Sequence, residues 1–167
     1  MIWSMNAARP ALEDRIAARF AQTRQVMVVP CGGAKVTETT IARDLYIGSA
    51  FREVLAAAIA EVGEENVLIL SAAHGLLDLD APVDPYDVKM GDADAIDRRD
   101  GGLLDLAAQI IGFGLDSADV YAMLPNKYLA ALDEAMRFVG GNTIAPVYEG
   151  LLGIGEQKAV AKILRTR

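Results

Sequence analysis

Two side chains that can exchange protons follow one apolar stretch of the chain. His74, the only histidine, comes after the run NVLILS at residues 66–71, and Asp87 comes after a Pro-Tyr step. The pKa of a histidine lies near neutrality, which suits a general acid or base. The carboxylate of Asp87 would activate water or stabilise positive charge on a sugar during cleavage of a glycosidic bond. A neutral histidine bonded to a carbonyl group, in an ordinary strand exit, is the alternative that the residues leave open.

Groups suited to holding a ligand follow an earlier apolar run. Cys31, Gly32, Gly33 and Lys35 come after QVMVVP, in the segment CGGAK. The glycines allow a sharp turn and a close approach of the backbone to a ligand, and exposed N–H groups with the Lys35 ammonium would attract an anion. Cys31 would act as a nucleophile only with His74 as its base, since the chain has no other histidine. A plain turn around a small buried thiol is the alternative.

Further candidates for ligand binding are spread over the predicted strand exits and loops: Arg43, Tyr46, Ser49, Ser71, Gly75, Tyr86, Gly155 and Gln157. The rings of Tyr46 and Tyr86 would stack on a base, and Arg43 would hold phosphate. A surface ion pair for Arg43 and a half-buried ring for Tyr46 are the structural alternatives, and Ser49 would cap a helix. Gly155 lies in a glycine-rich turn before the last predicted helix. This turn would bind an anion at the start of the helix, or it would serve only as a turn.

Short apolar runs that alternate with amphipathic segments must position these groups. The apolar runs predict buried strands at residues 25–30, 66–71, 118–124 and 142–147. Helical periodicity predicts helices at residues 10–22, 49–62, 101–114 and 126–141 and near the C-terminus. The alternation predicts an α/β fold: a single three-layer Rossmann-like domain of about four mainly parallel strands with helices on both faces. Ligands bind at the carboxyl ends of the strands in such sheets, where most candidate groups lie.

Length and composition limit the classes of protein to which the chain can belong. Its 167 residues fit one domain, residues 23–167, preceded by a predicted N-terminal helical extension, residues 1–22. A net charge of -7 opposes non-specific binding to duplex DNA but is compatible with a local basic groove. A single cysteine, without a signal peptide or an apolar span, predicts a cytoplasmic protein that has no membrane segment. One histidine and one cysteine oppose a zinc site, and no cofactor is predicted.

Taken together, several motifs resemble a known group of proteins. They are Cys31-Gly32-Gly33-Ala34-Lys35, Ala42-Arg43-Asp44-Leu45-Tyr46 with Ser49-x-Phe51, Ser71-Ala72-x-x-Gly75-Leu76, Pro85-Tyr86-Asp87 and Gly153-Ile154-Gly155-Glu156-Gln157. The set resembles a family of small bacterial and phage domains that is distantly similar to the YaaA peroxide-stress proteins. It also resembles domains attached to archaeosine-type tRNA-guanine transglycosylases and to some DNA-base modification systems. The resemblance spans roughly residues 25–160 and implies a Rossmann-like α/β domain that acts on nucleic acid or on a modified nucleobase.

These observations lead to one hypothesis of function and an alternative. The hypothesis is an enzyme that processes a nucleobase or nucleoside, by N-glycosidic cleavage or base exchange, with Asp87 and His74 as catalytic groups. The alternative is a non-catalytic module that binds or sequesters a nucleotide, so the residues leave open whether the chain is an enzyme. The expected partner is in either case a nucleotide or a nucleic-acid base. Trp3 and the N-terminal helix suggest a homo-oligomer as a further hypothesis.

Overall fold

The described part of the chain alternates strands and helices. The structure is a computed structural model that describes residues 24–147. The predicted N-terminal helix, the turn with Gly155 and Gln157, and the last predicted helix lie outside the described residues. The strands are β1 (Gln25–Pro30), β2 (Thr40–Ile41), β3 (Val67–Ser71), β4 (Gly75–Asp78), β5 (Pro82–Val83), β6 (Asp119–Ala122) and β7 (Ala145–Pro146). The helices are α1 (Ala42–Leu45), α2 (Ser49–Val62), α3 (Gly102–Gly112) and α4 (Asn126–Phe138), and two short 3-10 helices span Glu64–Asn66 and Leu115–Ser117.

Five of the strands form one sheet, in the order β4-β3-β1-β6-β7. β3, β1, β6 and β7 run parallel, and the register places Met27 of β1 opposite Val67 of β3. β4 runs antiparallel to β3 at one edge and is joined to it by a tight turn, residues 72–74. β2 and β5 form a separate two-stranded antiparallel sheet. The fold is therefore mixed α/β, built on a mainly parallel five-stranded sheet.

The side chains of β1 alternate between two buried clusters. Val26 and Val28 belong to one cluster, together with buried residues of α3 and α4. Met27 and Val29 belong to the other cluster, together with buried residues of α2. The alternation follows from strand geometry, in which successive side chains point to opposite faces. All four side chains are buried, so β1 is covered on both faces, as its continuous apolar run predicts.

The predicted strands and helices that fall within residues 24–147 are present. β1 and α2 begin and end at the predicted residues, and α3 and α4 lie inside their predicted ranges. β4 is not among the predicted strands. The strand is only four residues long, begins at Gly75 and ends at the exposed Asp78, so its apolar pattern is too short to identify it.

Candidate functional site

Ser71 anchors a network of hydroxyl groups at the carboxyl end of β3. Its side chain is buried, and its Oγ accepts hydrogen bonds from the backbone N–H groups of Ala73 (3.2 Å) and His74 (3.1 Å). Ser71 donates its own proton to the Tyr86 hydroxyl at 2.7 Å. The Tyr86 hydroxyl also lies 2.6 Å from the hydroxyl of Tyr46. Ser71, Tyr46 and Tyr86 are called the hydroxyl network below.

Close packing fixes the Tyr46 ring in this network. Tyr46 follows α1, is 1% exposed, and its ring centre lies 4.8 Å from that of Phe51 on α2. A Cβ atom at Gly32 would come within 3.3 Å of Tyr46 Cβ, so a glycine lets the loop after β1 pass close to the ring. Burial raises the pKa of Tyr46 to about 12, although its hydrogen bond with Tyr86 opposes the rise. Burial also raises the pKa of Tyr86, so both phenols are protonated at neutral pH.

The loop after β1 brings a cation onto the aromatic rings. The Lys35 Nζ lies 4.4 Å from the centre of the Tyr86 ring and 5.8 Å from that of Tyr46. Both distances are within the range of cation–π attraction. A backbone bridge between Lys35 and Tyr46 holds the loop in place, and Nζ also donates a hydrogen bond to the Gly33 carbonyl at 3.3 Å. The positive charge therefore lies next to the hydroxyl network.

A thiol and a third phenol adjoin the network. Cys31 directly follows β1, and its Sγ lies 3.3 Å from the hydroxyl of Tyr128, which is on α4 after β6. Burial raises the pKa of Tyr128, and the neighbouring Cys31 adds to the rise. Cys31 also adds to the effect of burial in raising the pKa of Tyr86. The carboxyl ends of β1, β3 and β6 therefore contribute to one cluster, as the parallel sheet predicts.

The turn between β3 and β4 is held by hydrogen bonds to successive backbone carbonyls. The Ile96 N–H donates to the Ala72 carbonyl at 2.8 Å. The Arg99 guanidinium donates to the Ala73 carbonyl at 2.6 Å and forms an ion pair with Asp105 of α3 at 3.2 Å. These bonds fix the backbone that follows β3. They thereby also fix the N–H groups of Ala73 and His74, which donate to the Ser71 hydroxyl.

Gln109 of α3 completes the attachment of this turn. Its Nε2 donates to the His74 carbonyl at 2.8 Å, and its Oε1 accepts from the Leu76 N–H at 2.7 Å. Gly75, which lies between them, has a φ of +74°. A Cβ atom at Gly75 would overlap Gln109 Oε1 and lie 2.7 Å from Ile96 Cδ1. Gly75 thus serves the close packing of the turn against α3.

His74 is exposed beside the hydroxyl network. Its ring meets the Tyr86 ring edge-on, with the two centres 5.1 Å apart. Desolvation lowers the pKa of His74 below its usual 6.5, the Arg99 charge lowers it further, and the Asp84 carboxylate opposes the change. The imidazole is therefore mainly neutral at pH 7, the state that accepts a proton.

We expect the charge of Arg99 to be visible in the titration of His74. Arg99→Gln removes the positive charge but keeps a donor for the Ala73 carbonyl, so the pKa of His74 should rise toward 6.5. The chain has one histidine, so the imidazole proton signals in an NMR titration of the untagged protein report on this group alone. Arg52→Gln, on the exposed part of α2, is the control and should leave the pKa of His74 unchanged. An unchanged value in Arg99→Gln would mean that desolvation alone sets this pKa.

The lowered pKa of His74 makes the stability of the folded chain depend on pH. The pKa of His74 is lower in the folded chain than in the unfolded chain. At a pH between these two pKa values, the unfolded chain therefore binds more protons at His74 than the folded chain does. The stability that neutral His74 contributes is therefore fully present above pH 6.5. It is lost as the pH falls through the folded pKa.

The structure places Arg43 and Ser49 outside this cluster. Arg43 forms ion pairs with Glu64 and Asp80, each at 3.0 Å, and its hydrogen bond with Glu64 is the main cause of its raised pKa. Its charge is thus paired near the other end of β3, in agreement with the ion-pair alternative. Ser49 does not cap α2, because Gly48 occupies the N-cap position and the backbone of Ser49 is already helical. The exposed Ser49 makes no side-chain bond to the end of the helix.

Asp87 and Gly33 lie on the exposed side of the segments that carry the cluster. Asp87 directly follows Tyr86 and, among residues 24–147, its carboxylate makes no hydrogen bond or ion pair. The nearby Asp84, in contrast, accepts a hydrogen bond from Thr39. A Cβ atom at Gly33 would have no described atom within 4 Å, so this part of the loop is open. The predicted contributions of Gly155 and Gln157 fall outside the described residues.

Three side chains of the site were not among the predicted site residues: Tyr128, Arg99 and Gln109. Tyr128 had a usable signal, because it follows β6 in the segment LPNKY and so lies beyond the carboxyl end of a parallel strand. Arg99 and Gln109 act on the backbone of a turn that is distant in sequence. No local pattern of residue types identifies such partners.

Two kinds of feature are absent from the described residues. No group of three or more His, Cys, Asp or Glu side chains within residues 24–147 is arranged to hold a metal ion. No helix in the same part of the chain is long and apolar enough to cross a lipid bilayer.

One comparison with known proteins gives a match. A family model described as a family of unknown function (DUF6884) matches residues 26–163, which is most of the chain. No curated protein and no solved structure matches. The comparisons thus find a family but do not link the chain to the YaaA proteins or to the transglycosylases.

Proposed function

The chain belongs to the DUF6884 family, whose function is unknown, and we propose that it binds a nucleobase or nucleotide and processes its N-glycosidic bond. The observation that carries the proposal is the Lys35 ammonium 4.4 Å from the Tyr86 ring, beside the hydroxyl network. The partly buried Tyr86 ring offers a stacking surface, whereas Tyr46, 1% exposed, does not reach a ligand with its ring. An ammonium attracts phosphate, and hydroxyl groups recognise the polar edge of a base. The choice of a nucleobase over other planar ligands rests on the sequence resemblance to base-modifying proteins.

We also infer the finer architecture, a three-layer Rossmann-like domain. The alternation of β1 side chains between a cluster with α2 and a cluster with α3 and α4 supports this inference. In open α/β sheets the ligand lies over the carboxyl ends of the strands, where the strand order reverses. The chain moves from β1 to β3 on one side and then crosses to β6 on the other side, so the reversal falls at β1. Cys31, at the carboxyl end of β1, belongs to the proposed site.

In the proposed reaction, water cleaves the bond between a sugar and its base. The carboxylate of Asp87 activates the water or stabilises the positive charge that develops on the sugar. The oxygen of the water bonds to the anomeric carbon, the carbon–nitrogen bond breaks, and the leaving base takes up a proton. Neutral His74 accepts the proton that the water loses and passes it to the leaving base, and the Tyr86 phenol donates a hydrogen bond to that base.

One set of variants tests binding and cleavage together. Tyr86→Ala removes the stacking ring and is expected to weaken the binding of nucleosides and their 5′-monophosphates by about 5- to 150-fold, measured by titration calorimetry. Asp87→Asn should keep binding but lose the release of free base, measured by chromatography of the same mixtures. Tyr121→Phe is the control and should keep both, because Tyr121 of β6 makes none of the network hydrogen bonds. Base release that persists in both Asp87→Asn and His74→Ala would contradict the catalytic roles.

A binding protein that carries out no reaction is the second candidate. The raised pKa values of Tyr46 and Tyr86 favour it, because phenols that hold their protons tightly are suited to recognition more than to proton transfer. Mass spectrometry of the ligand recovered after prolonged incubation separates the two functions. A binding protein returns the nucleotide intact, and the enzyme returns separate sugar and base.

A further inference from the structure

Most of the exposed large apolar side chains within residues 24–147 lie on two neighbouring helices. Three of the four are Leu104 and Ile111 of α3 and Phe138 of α4, with exposed fractions of 59%, 53% and 61%. Leu104 and Ile111 are separated by about two helical turns, so they lie on the same side of α3. Isolated apolar side chains on a surface are ordinary, whereas a group of them indicates a surface that another element covers.

The C-terminal ends of α3 and α4 are adjacent. The two helices pack against each other, and a Cβ atom at Gly141, just after α4, would lie 3.2 Å from the Cα atom of Asp116, just after α3. Ile111 and Phe138 both lie within a few residues of this junction. Leu104, Ile111 and Phe138 are called the α3–α4 apolar surface below.

The segment that precedes β1 reaches the described structure at the same end of α3. Arg24 is the first described residue, and its guanidinium donates to the Phe113 carbonyl, just after α3, at 3.1 Å. The same guanidinium donates to the Glu65 carbonyl at 2.9 Å and to Asn66 Oδ1 at 2.7 Å, which fixes its position. The chain before residue 24 therefore joins the fold close to Ile111.

The segment that follows β7 joins the fold at the other edge of the sheet. α3 packs against β4, which is one edge strand, whereas the chain after residue 147 leaves from β7, which is the opposite edge strand. Of the two segments outside the described residues, the N-terminal one is therefore the nearer to α3.

The N-terminal segment carries a matching apolar stripe. Helical periodicity predicts a helix at residues 10–22, and Leu12, Ile16 and Phe20 recur in it at intervals of four residues. With a rise of about 1.5 Å per residue, this stripe would be about 12 Å long, and Leu104 and Ile111 are about 10 Å apart along α3. The two stripes thus have similar lengths.

We propose, independently of the proposed function, that residues 10–22 form an amphipathic helix that packs Leu12, Ile16 and Phe20 against the α3–α4 apolar surface of the same chain. Burial of an apolar face against a partner is the main source of stability for a helix of this length. The direct connection favours the same chain over a second copy, because a tethered segment is present at a high effective concentration.

The anchoring of Arg24 gives the direction of the proposed helix. Phe20 is four residues before Arg24, and a stretch of four residues spans at most about 14 Å, which is enough to reach Ile111. Earlier residues of the segment then lie progressively nearer the start of α3, which brings Leu12 to Leu104. The proposed helix is therefore parallel to α3.

Amide hydrogen exchange of the full chain, followed by mass spectrometry, tests the proposal. In the wild type, peptides that cover residues 12–20 are expected to exchange at least about tenfold more slowly than an unstructured chain. Ile111→Asp places a charge on the α3–α4 apolar surface and should raise the exchange rate of these peptides about tenfold. Ile47→Asp is the matched control and should leave the rate unchanged, because Ile47 is 44% exposed and lies outside α3 and α4.

A second pair of variants changes the segment itself. Ile16→Asp alters the apolar stripe and should remove the protection of residues 12–20. Ala18→Asp lies two residues further, on the opposite side of the predicted helix, and should keep the protection. Circular dichroism checks the fold of every variant, and Ile111→Ser replaces Ile111→Asp if the aspartate variant does not fold.

The outcomes decide the proposal without reference to nucleotides, so the proposed function is tested separately. Protection that is lost in both Ile111→Asp and Ile16→Asp, and that is the same at low and high protein concentration, supports the proposal. Fast exchange in the wild type, unchanged protection in either of these variants, or an equal loss in Ile47→Asp or Ala18→Asp overturns it. Protection that appears only at concentrations where light scattering detects a dimer also overturns it, because a second copy then supplies the helix.

Discussion

Replacing Gly102 by alanine is expected to lower the free energy of unfolding by about 3 kcal/mol, whereas the same replacement at Gly112 is expected to raise it by about 0.5–1 kcal/mol. The two glycines are the first and last residues of α3. A Cβ atom at Gly102 would overlap the Ile96 carbonyl oxygen and lie 2.9 Å from its carbonyl carbon. A Cβ atom at Gly112 would have no described atom within 4 Å. Denaturant unfolding of the wild type and both variants measures the two effects.

The penalty at Gly102 is expected to extend to the candidate site. The backbone of Ile96 that an alanine would displace donates to the Ala72 carbonyl, at the start of the turn after β3. Gly102→Ala should therefore also shift the NMR signals of His74, while Gly112→Ala should leave them unchanged. Unfolding midpoints that are equal in the two variants would contradict the close approach of α3 to residue 96.

Ser71→Ala is expected to lower the free energy of unfolding by about 2 kcal/mol. The substitution removes the hydroxyl group that accepts the N–H groups of Ala73 and His74 and donates to Tyr86. These groups then lose their partner at a position where the serine side chain is buried. The loss of a buried hydrogen-bond partner costs more than the hydrogen bond itself contributes. Thermal and denaturant unfolding give the change in stability.

The matched control for this prediction is Ser49→Ala. Ser49 is exposed in the first turn of α2 and does not cap the helix, so its replacement should change stability by less than about 0.5 kcal/mol. The comparison separates the buried hydrogen bonds from the general effect of replacing serine by alanine. A Ser71→Ala variant as stable as Ser49→Ala would mean that water satisfies the released groups.

The sequence best predicts those strands and helices that are encoded by a long run of residues of one type, apolar or helix-forming. β1 was predicted from end to end because it is covered on both faces and reads as an unbroken apolar run. α2 was predicted equally well from its alanine-rich, helix-forming sequence. β4 escaped prediction because it exists by pairing with β3, and a strand of that length carries little pattern of its own.

The site was predictable to the extent that strand ends determine it. Lys35 and Ser71 lie at or after the ends of the parallel strands β1 and β3, so the strand pattern indicates that their segments are neighbours. Tyr46 and Tyr86 follow α1 and β5, outside the five-stranded sheet, and join them through hydrogen bonds and ring contacts. Arg43 could not be assigned in this way, because its ion pairs with Glu64 and Asp80 depend on tertiary packing.

The shortness of the outer strands has a consequence for association between molecules. At one edge of the described sheet β4 has four residues and ends at the exposed Asp78, and at the other edge β7 has two. An edge strand offers its unpaired N–H and C=O groups to other chains, and long edges without charges invite aggregation. These two edges offer few such groups, and one of them ends in a carboxylate. The short strand β4, which pairs with β3 at one edge, and the two-residue β7 at the other thus limit the capacity of the described sheet to recruit a strand from a second molecule.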